Sequence, residues 1–228
     1  MIRLSVVIPT LDAAAFLAAS LEALAEGGRD GLALETIVVD GGSRDGTAAL
    51  AERLGARVIA SAPGRGAQLA RGGAAARGDW LLFLHADTRL EPGWSRAARA
   101  FIADPASRER AAAFRFALDD GSAAARRLER LVAWRCAALG LPYGDQGLLI
   151  AGDFYRALGG YRPLPLMEDV ELMRRIGCGR LVMLAPRAVT SAARYRRGGW
   201  LRRPARNLSC LLLYFLGLPP RLIRRLYA

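Results

Sequence analysis

The sequence predicts an α/β protein: a mostly parallel, Rossmann-like mixed sheet with helices on both faces, followed by an amphipathic helical tail. Three observations carry this. β-branched runs alternate with segments of helical period through the N-terminal third, the pattern of strands joined by helical crossovers. The run Trp80-Leu81-Leu82-Phe83-Leu84 is continuously apolar, as a strand covered on both faces must be. Residues 208–218 are nearly all apolar and lie between two arginine clusters.

Taken in order, Leu4-Ser5-Val6-Val7-Ile8 reads as a strand stopped by Pro9, and 13–26 as a helix carrying Phe16, Leu17, Leu21 and Leu24. A strand over 36–39 ends at Asp40. The turn Gly-Gly-Ser-Arg-Asp-Gly follows, then a helix over 47–54 and a short strand over 57–60. Residues 64–78 are glycine-rich and predict no element; 80–84 is the strongest strand. Beyond Pro92 the order is mixed: a helix over 94–102, a strand over 112–118 and a helix over 123–139 with Leu128, Leu131, Val132 and Arg135 in its repeat. A glycine-rich turn at 140–147 leads to the apolar stretch 148–150. Short helices at 154–158 and from 168 to before Gly177, and a last strand at 181–184, complete the list. Residues 1–199 are expected to form one α/β domain and 200–228 an arginine-rich tail.

A chain of 228 residues with 53% hydrophobic and 24% charged side chains can bury a core, which excludes disorder and a disulfide-stapled miniature. Cys136, Cys178 and Cys210 are odd in number and widely spaced, as reduced thiols are. The start Met1-Ile2-Arg3-Leu4 runs straight into a strand with no secretory pattern, so a cytoplasmic location is expected. All 33 basic residues are Arg, which with the alanine tracts fits GC-rich coding. Their placement is uneven: 20 Arg face 21 acids up to Glu171, and 13 Arg face none from Leu172 onward. That quarter calls for an anionic partner. The 208–218 stretch is too short to cross hydrocarbon, which takes about 20 residues. It suits a helix in the membrane interface, with Trp200, Tyr214 and Tyr227 at the headgroup level, or a core-packed terminal helix with solvated arginines. Peripheral association with the inner face of an anionic membrane is one expectation. No zinc-finger spacing or aromatic RNA-binding block is present, so no nucleic-acid partner is expected.

Asp40, Asp87 and the pair Glu168-Asp169 each stand where a strand ends or a helix begins, the place where open α/β sheets hold ligands. His85 and Asp87, two residues apart past a buried strand, point to the same side, an arrangement that suits a divalent cation.

Ser5-Val6-Val7-Ile8-Pro9-Thr10-Leu11-Asp12, Ile37 to Thr47, Leu84-His85-Ala86-Asp87-Thr88 and Met167-Glu168-Asp169-Val170-Glu171-Leu172 resemble, in order and spacing, the blocks of family 2 glycosyltransferases with the GT-A fold. The closest likeness is to the short, single-domain bacterial branch with a His-Ala-Asp metal motif, a Gly-Arg-Gly-x-Gln block at 64–68 and a Gly-Asp-Gln-Gly block at 144–147. The resemblance implies a metal-dependent, inverting transfer of a sugar from a nucleotide-diphosphate donor, a UDP-sugar being favoured, to an acceptor hydroxyl. It places Pro9, Thr10 and Asp12 against the nucleoside, Asp40 on the base, Arg65 and Gln68 beside the diphosphate and Ala86 in the donor site. Asp87 with His85 would hold Mn²⁺ or Mg²⁺. Asp169 would be the general base, with Glu168 next to it in the catalytic pair, and Asp145 and Gln146 would lie on the acceptor side. Two departures stand out. Asp12-Ala13 replaces the usual Asn-Glu, which leaves the nucleoside open, and His85 replaces an Asp, which favours Mn²⁺ or leaves the imidazole to bond a nearby loop.

Other readings remain at this stage. A sugar-1-phosphate nucleotidyltransferase would need a catalytic cation in the glycine-rich loop, where only Arg65 stands. A non-catalytic module of the same fold would use the arginine-rich tail on membrane or nucleic acid. A P-loop is excluded by the absence of Lys, and a dinucleotide fingerprint by Leu69 in the place of its third glycine.

Overall fold

Strand β1 (Ile2–Thr10) runs through the middle of the sheet, with Leu4, Val6, Val7 and Ile8 buried on both of its faces. The structure, a computed structural model, describes residues 2–227, the side chain of Tyr227 excepted. Parallel to β1 lie β2 (Leu32–Asp40) on one side and β4 (Trp80–Phe83) on the other, with β3 (Arg57–Ala60) outside β2. Past β4 come β7 (Leu148–Ala151), β6 (Ala111–Leu118), β8 (Leu181–Thr190) and β5 (Thr88–Leu90). β7 is antiparallel to both neighbours and β5 to β8, while β6 and β8 are parallel. Among the described residues, these eight strands form one mixed sheet.

The chain lays β2 and β3 to one side of β1 and then returns to place β4 on the other. A crevice opens at such a reversal, beyond the carboxyl ends of the strands. Thr10, Asp40 and the segment His85-Ala86-Asp87 all emerge there.

Helix α1 (Ala14–Arg29) packs with α2 (Thr47–Arg53) and α4 (Trp94–Ala103); α3 (Arg65–Ala75) packs on β1 and β2 and reaches α7 (Glu168–Ile176). α6 (Gly152–Ala157) follows β7, and α5 (Ala123–Leu139) covers β6, its start capped by the Ser122 hydroxyl accepting from the Ala125 N–H. The expected helices and strands are present, with three corrections. β1 continues through Pro9, because the N–H that proline lacks would face β4, which has already ended at Phe83. The glycine-rich stretch is helix α3. β8 runs to Thr190 rather than stopping at Leu184, paired along β6 with one irregularity between Phe114 and Arg115, and it brings Ser191 to donate to the Asp87 carbonyl at 3.2 Å.

The tail is three helices, α8 (Ala193–Gly198), α9 (Arg202–Phe215) and α10 (Pro220–Tyr227). The apolar stretch 208–218 is therefore not one segment: α9 ends at Phe215, Gly217 turns the chain at φ +89° and α10 begins at Pro220. Cys210, Leu211 and Ile223 are buried in the same core as the sheet, so the boundary expected after residue 199 does not separate two cores. Two of the aromatics assigned to a headgroup level are turned inward. Trp200 stacks on Tyr195 with centroids 5.9 Å apart, and Tyr214 packs on the core beneath the Arg174 guanidinium. The side chain of Tyr227, the third, lies outside the described residues. Leu208, Leu212, Leu216, Leu222 and Leu226 are exposed. No helix among the described residues is long and apolar enough to cross a membrane. The three cysteines are free, with Cys136 and Cys210 buried and Cys178 exposed.

Candidate active site

At the ends of β1 and β2 the sequence builds a polar loop rather than an open surface. Asp40 takes four donors: the hydroxyls of Thr10 (2.9 Å) and Ser43 on Oδ1, and the N–H groups of Gly42 (3.0 Å) and Ser43 (2.9 Å) on Oδ2. Burial alone would raise its pKa, but these bonds outweigh burial and hold the carboxyl below its ordinary value. Every acceptor position of Asp40 is used by the loop itself. Asp12, exposed and at φ +49°, accepts from the Arg44 N–H at 2.8 Å, while its own N–H donates to the Ser43 hydroxyl. Asp45 and Thr47 tie the same turn to the start of α1. Thr10 is buried and Pro9 partly so, both on this wall.

Gln68, expected to border the diphosphate, clamps the ends of β1 and β2. Its amide N–H₂ donates to the carbonyls of Thr10 (2.7 Å) and Val39 (2.8 Å), and its oxygen accepts from Gly64, so its polar groups are committed inside the protein. Ala86 is likewise buried, its carbonyl accepting from the Ser20 hydroxyl at 2.8 Å.

Beyond β4 a cavity of about 110 Å³ gathers Arg65, His85, Asp87, Asp145 and Asp169, residues that are as much as 104 positions apart in the chain. That volume is well under the roughly 300–1,000 Å³ that encloses a drug-sized ligand. Asp169 enters from the first turn of α7, where the helix dipole favours a carboxylate. It accepts from the Val170 N–H (2.8 Å) and, through Oδ2, from the Gly144 N–H (3.0 Å). Glu168 is turned away and buried, bonded to Arg65. Burial raises its pKa against the pull of that guanidinium. Met167, which precedes the pair, has a left-handed backbone (φ 65°); it and Asp12 are the two such non-glycine residues among those described, and both stand at this site.

Gly144 makes room for His85. A Cβ on Gly144 would lie 2.5 Å from His85 Nε2, and that nitrogen is buried with no hydrogen-bond partner. Burial, then the charges of Arg65 and Arg194, keep the imidazole neutral well below its usual pKa. Asp145 Oδ1 is also buried and unpartnered. Burial, opposed by Arg135 and reinforced by Asp169 and Asp87, pushes this carboxyl up to about 6. Gln146, expected on the acceptor side, is buried, donates to the Phe114 carbonyl (3.0 Å) and accepts from Arg135 (3.2 Å). Arg135 in turn lies 3.5 Å over the Tyr143 ring, which lines the cavity.

The sequence reading missed one wall. Thr190, Ser191, Arg194, Tyr195, Arg203 and Asn207 close the cavity from β8, α8 and α9, with Arg194 Nη2 standing 3.6 Å from Asp87 Oδ2. The acid-free composition of this region was visible; which of its arginines turn inward was not.

Comparison with known proteins agrees with this architecture. No curated protein matches the sequence. Among solved structures, glucosyl-3-phosphoglycerate synthase from Mycobacterium tuberculosis, in complex with Mn²⁺, UDP and glucosyl-3-phosphoglycerate, superposes with a TM-score of 0.63 at 19% identity, over 96% of this chain and 81% of its own. Mannosyl-3-phosphoglycerate synthase from Rubrobacter xylanophilus gives 0.63 at 20%, over 95% and 75%, and S. aureus TarS 1-349 gives 0.64 at 16%, over 98% and 69%. At these identities the likeness establishes the shared GT-A fold. The model of the family described as Glycosyl transferase family 2 matches residues 5–130, more than half of the chain, and the protein belongs to that family.

Proposed function

We propose that the protein is a metal-dependent, inverting glycosyltransferase that moves a sugar from a nucleoside diphosphate to an acceptor hydroxyl. The observation that carries the reading is the meeting of Arg65, His85, Asp87 and Asp169 in one cavity at the reversal point of the sheet. The nucleoside lies on the loop of Pro9, Thr10, Asp12 and Asp40; for Asp40 to accept from a ring imide, the Ser43 hydroxyl must yield its place. UDP and Mn²⁺ in the mycobacterial relative favour a uridine donor and that metal.

The donor set fits a divalent cation. Asp87 and His85 line the cavity and His85 Nε2 has no partner, yet no group of three or more His, Cys, Asp or Glu among the described residues is arranged to hold an ion. An ion completed by substrate phosphates needs only one or two protein ligands. When bound there, Mn²⁺ or Mg²⁺ would neutralise charge developing on the leaving diphosphate. Arg65, braced by Glu168, and Arg194 flank the same position with fixed positive charge. Asp169, oriented by the Gly144 N–H, takes the acceptor proton as the hydroxyl oxygen bonds to the anomeric carbon and the electron pair leaves with the diphosphate.

A thermal-shift panel of UDP, GDP, CMP and dTDP nucleotides with and without Mn²⁺ tests the donor site, because a ligand of the folded state raises the midpoint. One nucleoside with a metal-dependent shift is expected, and Asp87→Ala should remove the metal-dependent part. Asp169→Asn should cut transfer by about 10²–10⁴-fold while nucleotide affinity stays within a few-fold. Loss of donor binding in that variant would refute its role as base.

A further inference from the structure

The elements that wall the catalytic cavity continue past it into a second one. Along α7, Asp169 and Val170 face the first, Met173 on the next turn lines the second, and so does Gly177 just past the helix end. Along α9, Asn207 belongs to the first, while Leu208, Leu211 and Leu212 belong to the second. The third wall repeats the pattern: Tyr143 and Gly144 lie in the cavity, Leu139 and Leu141 in its neighbour. Polar reaction chamber and apolar groove thus lie end to end on shared elements.

The groove holds about 580 Å³, within the roughly 300–1,000 Å³ of small-molecule sites, and Arg174 is the single charged residue on its wall. Leu208 and Leu212, which line it, are 66% and 59% exposed, so the wall is open at the protein surface. We infer that the acceptor is an amphiphile, with its hydroxyl-bearing polar head in the catalytic cavity and its hydrocarbon chain in this groove. The inference rests on the transferase reading above and adds the substrate class.

Two features select a lipid chain over a second copy of the protein. Groove and chamber share α7, α9 and the 139–144 segment as walls, so a head beside Asp169 has this groove on the same three walls to receive its chain. The tail that supplies one wall, residues 200–228, carries six Arg and no acid, so two copies meeting through it would bring like charges together, whereas an anionic bilayer is attracted. Leu201, Leu216, Leu222 and Leu226, exposed on the same tail, add apolar contact for such a bilayer. The chemistry is unchanged: the head-group oxygen bonds to the anomeric carbon, its proton passes to Asp169 and the nucleoside diphosphate leaves with the bonding pair.

Cys178 supplies a reporter, because it lines the groove and is exposed while Cys136 and Cys210 are buried. The rate of its alkylation by N-ethylmaleimide is measured on the full chain with 1-O-alkylglycerols of about two, six and ten carbons, below their micellar concentrations. The longest chain should slow alkylation at least about tenfold and the shortest not at all, since each methylene that enters the groove strengthens binding about three- to fourfold. Leu208→Asp with Leu212→Asp, both at exposed positions, should abolish this protection without changing the melting temperature by more than about 2 °C. With the sugar donors of the nucleoside that the panel selects, KM for transfer should fall at least about tenfold from the short to the long acceptor, and not in the double variant. Protection without transfer from any nucleotide sugar would keep the lipid groove and sink the transferase reading. Transfer with a chain-independent KM would do the reverse. Protection produced by raising protein concentration alone, with a doubled mass in solution, would assign the groove to a second copy and overturn the proposal.

Discussion

Asp145 sits between two other carboxylates with one buried, unpartnered oxygen, and its environment pushes the group up to about 6. Below about pH 3 it is protonated whether the chain is folded or not. Above about 6 it is ionised in both states, and the folded state then carries the burial cost. The stability it contributes therefore falls as pH rises through that window. Asp145→Asn should raise the unfolding free energy by about 1–3 kcal/mol at pH 8 in the presence of a chelator and by almost nothing at about pH 3. Chemical denaturation at both values checks this, and an equal gain at both would mean that the cost is steric. Its neighbour Gly144 serves His85 directly. In Gly144→Ala the new Cβ would stand 2.5 Å from Nε2, so the ring must move. Metal-dependent nucleotide affinity should drop about tenfold or more while affinity without metal is unchanged, as titration with and without Mn²⁺ would show. The motif Gly-Asp-Gln-Gly was legible as a functional block, but its division of labour was not: one residue yields space, one titrates and the third, Gln146, braces Phe114 and Arg135.

Helix α3 shows at the scale of an element why local composition misled. Glycine is unfavourable in a helix by about 1 kcal/mol relative to Ala, and a stretch so rich in it predicts a loop. Its glycines are there for close approach. A Cβ on Gly72 would lie 2.3 Å from Val7 Cγ1, one on Gly73 2.5 Å from the Tyr155 hydroxyl and one on Gly66 2.5 Å from the Leu164 carbonyl. The helix thus presses directly on the sheet and on the segment leading to α7, which is how Arg65 at its start reaches Glu168. Gly72→Ala should destabilise by about 1–3 kcal/mol despite the better propensity, because the core must open. Gly28→Ala in α1, where nothing lies within 4 Å, should stabilise by about 0.5–1 kcal/mol. Opposite signs in denaturant midpoints are expected for the two substitutions. Strands β1 and β4, by contrast, were legible from their apolar runs, since burial on both faces leaves no polar position to obscure the signal.

For the whole molecule, the tail is packed into the same body as the sheet. Ile223 is fully buried in the main core, Leu211 nearly so, and Arg203 and Asn207 line the cavity that holds Asp87 and Asp169. Ile223→Ala should cost about 2–4 kcal/mol in stability. Deleting residues 200–228 should lower the melting temperature by 10 °C or more in a domain of this size, at roughly 2–4 °C per kcal/mol, and abolish transfer. A truncated chain that melted like the full one would show that the tail is only an attachment. Sequence alone determined the family, the parallel half of the sheet and the placing of Asp40, Asp87 and Asp169 at strand ends and helix starts, because these depend on local runs and short spacings. Tertiary structure decided which side chains line the cavity: Gln68 and Gln146 spend their amides inside the protein, whereas Arg194 arrives from a region with no motif. It also decided that an apolar tail becomes both core and groove wall. The physical reason is that hydrogen-bond partners and close approach are set between residues about a hundred positions apart, and a side chain's type records what it can bond but not what the fold brings to it.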